Sequence, residues 1–121
     1  RQKEQYEEAI SEYQKALALD GEDTYASSQL GYTYAVLGRR DEANKIIDQL
    51  KERSKRKYVS PADIAVIYAG LGEKTQAFEW LEKAYTVRDE DLLYLKVDRI
   101  WDSLRPDPRF SDLMRRIGFP Q

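Results

Sequence analysis

The densest group of side chains that could bind a metal ion is the acidic triplet Asp89-Glu90-Asp91. Carboxylate oxygens are the ligands that Ca²⁺ prefers, but the triplet lacks the alternating acid and glycine spacing of a calcium loop. Acidic residues are also favourable in the first turn of a helix, because they interact with the positive end of the helix dipole. We therefore expect the triplet to begin a helix, and we expect no metal site.

Catalytic chemistry finds little support elsewhere in the chain. Two carboxylates could cleave a glycosidic bond if both faced one pocket, but Glu79, Glu82 and Asp63 fall on ordinary faces of predicted helices. The segment Gly70-Leu71-Gly72 is not a phosphate loop, because no strand precedes it and no Gly-Lys-Ser/Thr follows. We predict no catalytic residue, no cofactor and no enzymatic activity.

The 121 residues include neither cysteine nor histidine. Their absence excludes disulfides, thiol catalysis, Ser-His-Asp constellations, and zinc sites built on these residues. The 22 acidic and 20 basic residues nearly cancel, so the net charge of −2 does not indicate attraction to nucleic acid or membranes. Apolar runs are only a few residues long, so we expect no membrane span. Because nothing indicates export, we expect a cytoplasmic protein.

Residues 51–57 carry five basic side chains and could bind the phosphates of a nucleic acid. The run lies at the predicted C-terminal end of a helix, where cations interact favourably with the helix dipole. Only Tyr58 beside it could stack on a base. We favour the structural interpretation, and nucleic-acid binding stays open as a weaker alternative.

An internal repeat organises most of the chain. A shift of 34 residues superimposes apolar and small residues of matching type. The matched pairs include Leu30 with Ile64, Tyr34 with Tyr68, Gly38 with Gly72, Ala43 with Ala77 and Ile47 with Leu81.

Each repeating unit is predicted to contain two helices. Ser60-Pro61 is a strong helix start, and Gly38 and Gly72 are typical helix ends. We expect Asp41 and Thr75 to be the N-caps of the second helices. The predicted helices span residues 2–18, 24–37, 41–55, 61–71 and 76–87.

These residues resemble the tetratricopeptide repeat (TPR), whose signature is W-x₂-L-G-x₂-Y…A-x₃-F…P over 34 residues. The position of its tryptophan holds Ser27 and Pro61, and the closing proline is replaced by Lys55 and Asp89. The matching segments are Ser27-x₂-Leu30-Gly31-x₂-Tyr34…Ala43-x₃-Ile47 and Pro61-x₂-Ile64-Ala65-x₂-Tyr68…Ala77-x₃-Leu81.

The resemblance implies an all-α solenoid, a right-handed superhelix of antiparallel helix pairs, with repeats over residues 1–88. Residues 1–22 would be the second half of one repeat, and 23–57 and 58–88 two further repeats. Residues 89–121 would form a non-repeat helical cap, with a last helix that begins at Asp107-Pro108 and ends at Gly118 and Pro120.

The tail looks like the end of repeat regions in bacterial regulatory and signalling proteins, and the chain starts without Met in a predicted helix. We therefore expect it to be the C-terminal part of a larger protein. As an alternative to partner binding, it could be a self-association or regulatory arm of an upstream DNA-binding, kinase or cyclase domain. The apolar residues of helix 2–18 also suggest a homodimer.

The resemblance further implies a protein–protein interaction scaffold whose first helices line a concave groove. The basic residues with which some family members hold a terminal carboxylate are absent, because the corresponding positions are Ser28, Tyr32, Ala62 and Val66. We predict an apolar groove for a peptide, helix or partner protein, although its tyrosines could instead pack on missing upstream repeats. The predicted groove residues are Tyr25, Ser28, Gln29, Tyr32, Val36, Val59, Ala62, Asp63 and Val66.

Overall fold

The computed structural model describes residues 1–95 and 98–118 of the chain, and every regular element in these two ranges is helical. Two short 3₁₀-helices, η1 (Glu90–Tyr94) and η2 (Arg99–Trp101), precede the last α-helix. The all-α class predicted from the sequence is confirmed. The α-helices are α1 (Gln2–Leu19), α2 (Thr24–Val36), α3 (Arg40–Arg53), α4 (Pro61–Leu71), α5 (Lys74–Thr86) and α6 (Pro108–Ile117).

The turns between paired helices depend on glycine. Gly38 and Gly72 have φ angles of 79° and 78°, a left-handed conformation that a residue with a Cβ adopts only with strain. The next amide in each turn donates back to the carbonyl oxygen of a tyrosine, Tyr34 at 2.9 Å and Tyr68 at 3.0 Å. This hydrogen bond closes the turn within two residues and reverses the chain direction.

The predicted N-caps Asp41 and Thr75 are wrong. The N-cap positions are occupied by Arg39 and Glu73, and neither side chain makes a capping hydrogen bond. Because the glycine turn is so short, the chain re-enters helical geometry before it reaches the residues that cap best. The second helices therefore start earlier than the capping preferences predicted.

The starts of α4 and α6 follow the prediction. Ser60 accepts a hydrogen bond from the amide of Ala62, and the carboxylate of Asp107 accepts one from the amide of Arg109. A proline follows each cap at the first helical position, where its missing N–H is not needed. Gly118, with a φ angle of 102°, ends α6. Pro120 lies outside the described residues.

Small residues allow the helices of the core to pack closely. Ala43 and Ala77 are fully buried, and α2 packs against both α3 and α4. A Cβ on Gly31 would lie 2.5 Å from Cδ1 of Ile67 on α4. The interface between α2 and α4 therefore requires glycine at this position of α2 for the observed close approach.

The first helix is covered on one side by α2. Ile10 is its one buried residue, while Tyr6, Tyr13 and neighbouring apolar residues are half-buried. Leu19, at the end of the helix, is 92% exposed. A homodimer formed through α1 stays a prediction.

The C-terminal cap packs against the last helix pair. In the cap, η2 contacts α4, whereas η1 and α6 contact α5. Three apolar side chains of the cap, Trp101, Leu104 and Phe110, are buried. The acidic triplet begins η1, where Asp89 accepts a hydrogen bond from the amide of Asp91 at 2.8 Å. The cap thus places η2 on the face of α4, although the two elements are about 30 positions apart in the sequence.

None of the helices in residues 1–95 and 98–118 combines the length and the apolar character needed to cross a membrane.

Candidate functional site

A cleft of about 200 Å³ lies where α2 and α4 meet the cap. Six of the nine residues predicted for the groove line it: Tyr25, Ser28 and Gln29 from α2, and Ala62, Asp63 and Val66 from α4. The remaining lining residues come from the cap, namely Asp91, Asp98, Ile100 and Trp101.

The three other predicted residues lie outside the lining of the cleft. Tyr32 is half-buried beside Gly70, where a Cβ would come within 3.0 Å of the Tyr32 ring. Burial is the main cause that raises the pKa of the Tyr32 hydroxyl. Val36 is half-buried, and Val59 is buried in the core.

The floor of the cleft is a packed contact between α2 and α4. The hydroxyl of Ser28 donates to the backbone carbonyl of Asp63 at 2.8 Å and is 1% exposed. Ala62 and Val66 are buried beside it. Because the Ser28 proton is already used, this residue holds the two helices in register and cannot donate to a ligand.

The walls offer more accessible groups. Tyr25 is 67% exposed, and Gln29 is half-buried. On the opposite side, Asp98 caps η2 by accepting a hydrogen bond from the amide of Ile100 at 3.0 Å. This N-cap hydrogen bond fixes the start of η2, from which Ile100 and Trp101 line the cleft.

The four cap residues of the cleft were missed by the sequence analysis. Asp98 is itself a local signal for a helix start, because aspartate is a favoured N-cap residue. It does not show which part of the repeat the helix packs on, because that contact is long-range. The prediction of an apolar groove is accordingly incomplete, since the cap adds two carboxylates to that of Asp63.

The cleft is electrostatically negative. Burial, followed by the charges of Asp91 and Asp89, raises the pKa of Asp63 to about 7. Desolvation of its hydroxyl, followed by a hydrogen bond to Asp89, raises the pKa of nearby Tyr58 to about 12. No lysine or arginine is among the lining residues in the described part of the chain.

The basic run 51–57 has a structural role that the helix dipole alone did not explain. Arg53 is 7% exposed and donates to the carbonyl oxygens of Gly21 and Glu22, both at 3.3 Å, and to Oγ1 of Thr24 at 3.2 Å. The run therefore ties the end of α3 to the loop before α2. The other four bases also have partners: Lys51 with the Tyr68 hydroxyl, Lys55 with Glu52, and Arg56 and Lys57 with Glu22.

Two family models match the chain. One, described as TPR repeat, matches residues 1–38, which contain α1 and α2. The second, described as tetratricopeptide repeat, matches residues 62–91, which contain most of α4 and all of α5. Together the two segments span more than half of the chain. The chain belongs to the tetratricopeptide repeat family. A search of curated proteins gave no significant match, and neither did a search of solved structures.

Membership of the TPR family confirms the helical repeat fold predicted from the 34-residue period. TPR repeats indicate a protein–protein interaction scaffold, and the fold is generally non-catalytic. The cleft of this TPR protein lies on the first helices α2 and α4, next to the cap. The boundaries of its individual repeats stay predictions.

Proposed function

We propose that this TPR protein binds a segment of a partner protein in the cleft between α2, α4 and the cap. The observation that carries the proposal is that six of the nine residues predicted for the groove line one cleft, which has an exposed aromatic wall. Its volume of about 200 Å³ is below the roughly 300–1,000 Å³ of pockets for drug-sized ligands. One or two side chains of a peptide fit such a space better than a whole metabolite does.

Tyr25 is the proposed anchor for the partner. It is 67% exposed, although its position on the first turn of α2 places it against the cleft. A tyrosine gives a large contact area at low entropic cost, because only two side-chain torsions become fixed. Burying it in an interface therefore yields more free energy than burying a flexible side chain of equal size.

A random peptide library displayed on phage tests the proposal. Peptides selected on the native protein are synthesised, and their affinities are measured for Tyr25→Ala and for the matched control Tyr58→Ala. Tyr58 is 65% exposed and lies outside the cleft lining. We expect Tyr25→Ala to weaken binding about tenfold, which is typical of a hot-spot residue. We expect Tyr58→Ala to change it less than twofold.

Peptides that bind both variants as well as the native protein would show that the cleft is not the binding site. Failure to enrich any peptide would count against the proposal as a whole.

A further inference from the structure

Three carboxylates of the cleft have no cationic partner in the part of the chain that the structure describes. Asp63, Asp91 and Asp98 form no ion pair with any lysine or arginine in residues 1–95 and 98–118, and all three line the same space. Acids elsewhere on the surface are commonly paired, such as Glu22 with Arg56, Glu42 with Arg39, Glu73 with Arg40 and Glu82 with Arg116.

Arg105 of the cap contacts the backbone near the cleft but is already engaged. Its guanidinium group donates to the Asp98 carbonyl oxygen at 2.7 Å and pairs with the carboxylate of Asp102 at 2.7 Å. Its charge is thus shared with an acid that is not part of the cleft lining. Among the lining residues in the described ranges, no lysine or arginine offsets the three carboxylates.

The apolar walls restrict what kind of cation fits. Ile100 and Tyr25 provide the accessible aliphatic and aromatic surface, and Val66 and Trp101, which are only 4% and 5% exposed, complete the apolar lining. Lysine and arginine side chains combine a long apolar stem with a charged end, so the stem can pack on such walls while the charge meets carboxylates. Aromatic faces also attract cations within about 6 Å of the ring centre.

We infer that the partner segment is basic and that one of its lysine or arginine side chains enters the cleft towards Asp63, Asp91 and Asp98. This inference rests on the proposed function, because it specifies the chemistry of the segment bound at the same site. Charge complementarity with three unpaired carboxylates and the match between apolar walls and an apolar stem both support it.

The protonation behaviour of the cleft agrees with this occupant. Asp63 faces Asp89 and Asp91 of the cap, and burial together with these charges raises its pKa to about 7. A bound cation favours the ionised carboxylate, so binding releases a proton from Asp63. We expect a lysine peptide, which stays charged throughout, to bind more tightly at pH 8 than at pH 6.

Three fluorescein-labelled peptides with blocked ends provide the test. They share length and apolar residues and differ only at alternate positions, which hold lysine, glutamine or glutamate. Fluorescence anisotropy at 50 mM NaCl should show that the lysine peptide binds at least tenfold more tightly than the glutamine peptide and that the glutamate peptide binds least. The lysine advantage should shrink at 500 mM NaCl, because salt screens exposed charges.

A variant that combines Asp63→Asn, Asp91→Asn and Asp98→Asn localises the effect. Asparagine keeps the capping oxygen of Asp98, so the start of η2 is preserved. The matched control combines Glu8→Gln, Asp48→Asn and Glu79→Gln, three exposed acids outside the cleft, and changes the net charge equally. We expect the cleft variant to bind the lysine peptide about tenfold more weakly, whereas the control changes less than twofold.

Equal losses in the two triple variants would overturn the inference, since the attraction would then come from overall charge. Equal binding of the lysine, glutamine and glutamate peptides would also overturn the inference. If Tyr25→Ala then weakened the binding of all three peptides equally, the proposed function would still stand. Should the triple variant unfold, Asp63→Asn alone is used, with an expected loss of about threefold against no change for Asp48→Asn. If no peptide binds the native protein, the inference is wrong, and the phage experiment decides the proposed function separately.

Discussion

Replacing Asp63 by asparagine should stabilise the protein, and the gain should grow as the pH rises. The pKa of this carboxyl is about 7 in the folded protein and 3.8 in the unfolded reference. Between these two values the folded state holds a proton that the unfolded state has released. Raising the pH through this window therefore lowers the free energy of unfolding, and above pH 7 the loss is complete.

The expected magnitude follows from the same shift. Each pH unit within the window corresponds to about 1.4 kcal/mol. The native protein should lose about 2 kcal/mol between pH 5 and pH 7 through this one group, while Asp63→Asn has no proton to lose. Burial of the Asp63 carboxyl is the main cause of the raised pKa, and the charges of Asp91 and Asp89, which face it, add to the effect.

Urea unfolding followed by circular dichroism at pH 5, 6, 7 and 8 measures this difference. The control Asp48→Asn removes an exposed carboxylate from α3 and should keep the pH profile of the native protein. Profiles for Asp63→Asn and the native protein that run parallel over this range would refute the argument, because they would show that Asp63 titrates alike in both states.

Three further predictions concern the fold, and urea midpoints at pH 7 check all of them. Arg53→Ala removes three hydrogen bonds from a buried guanidinium group and should cost about 3 kcal/mol, whereas Lys55→Ala should cost less than about 0.5 kcal/mol; similar losses would contradict the structural role of Arg53. Ala77→Trp overpacks a fully buried site and should lower the free energy of unfolding by about 1–3 kcal/mol or more. An unchanged urea midpoint would show that Ala77 does not lie in a tightly packed core. Arg88→Gly relieves a residue with a φ angle of 57° and should stabilise the fold by about 1 kcal/mol, and a loss would mean that the contact of Arg88 with the Tyr85 ring dominates.

Local signals in the sequence were sufficient for the helices and for the ends that depend on backbone geometry. Gly38 and Gly72 end their helices because only glycine takes the left-handed conformation without strain. The starts at Arg40 and Lys74 were missed, because side-chain capping competes there with a turn whose length is set by the glycine. Capping preferences amount to about 1 kcal/mol and yield to a stronger backbone constraint.

In the candidate site too, helical spacing predicted some features, whereas others depend on tertiary packing. Tyr25, Ser28 and Gln29 could be placed on one face of α2 because helical spacing orients side chains without reference to the rest of the molecule. Whether each is accessible was not predictable, and Ser28 proved to be buried in the contact with α4. Burial depends on which helix lies opposite, and that is a property of packing.

The sequence by itself determined the 34-residue period, the helix pairs and the family, because each is encoded by residue type at fixed local spacing. The tertiary structure alone decided that η2 packs on α4 and that Asp91 and Asp98 join Asp63 in one cleft. It likewise decided that Arg53 holds the loop before α2. These contacts join residues about 30 positions apart, so they depend on how the helices pack and are not encoded by local spacing.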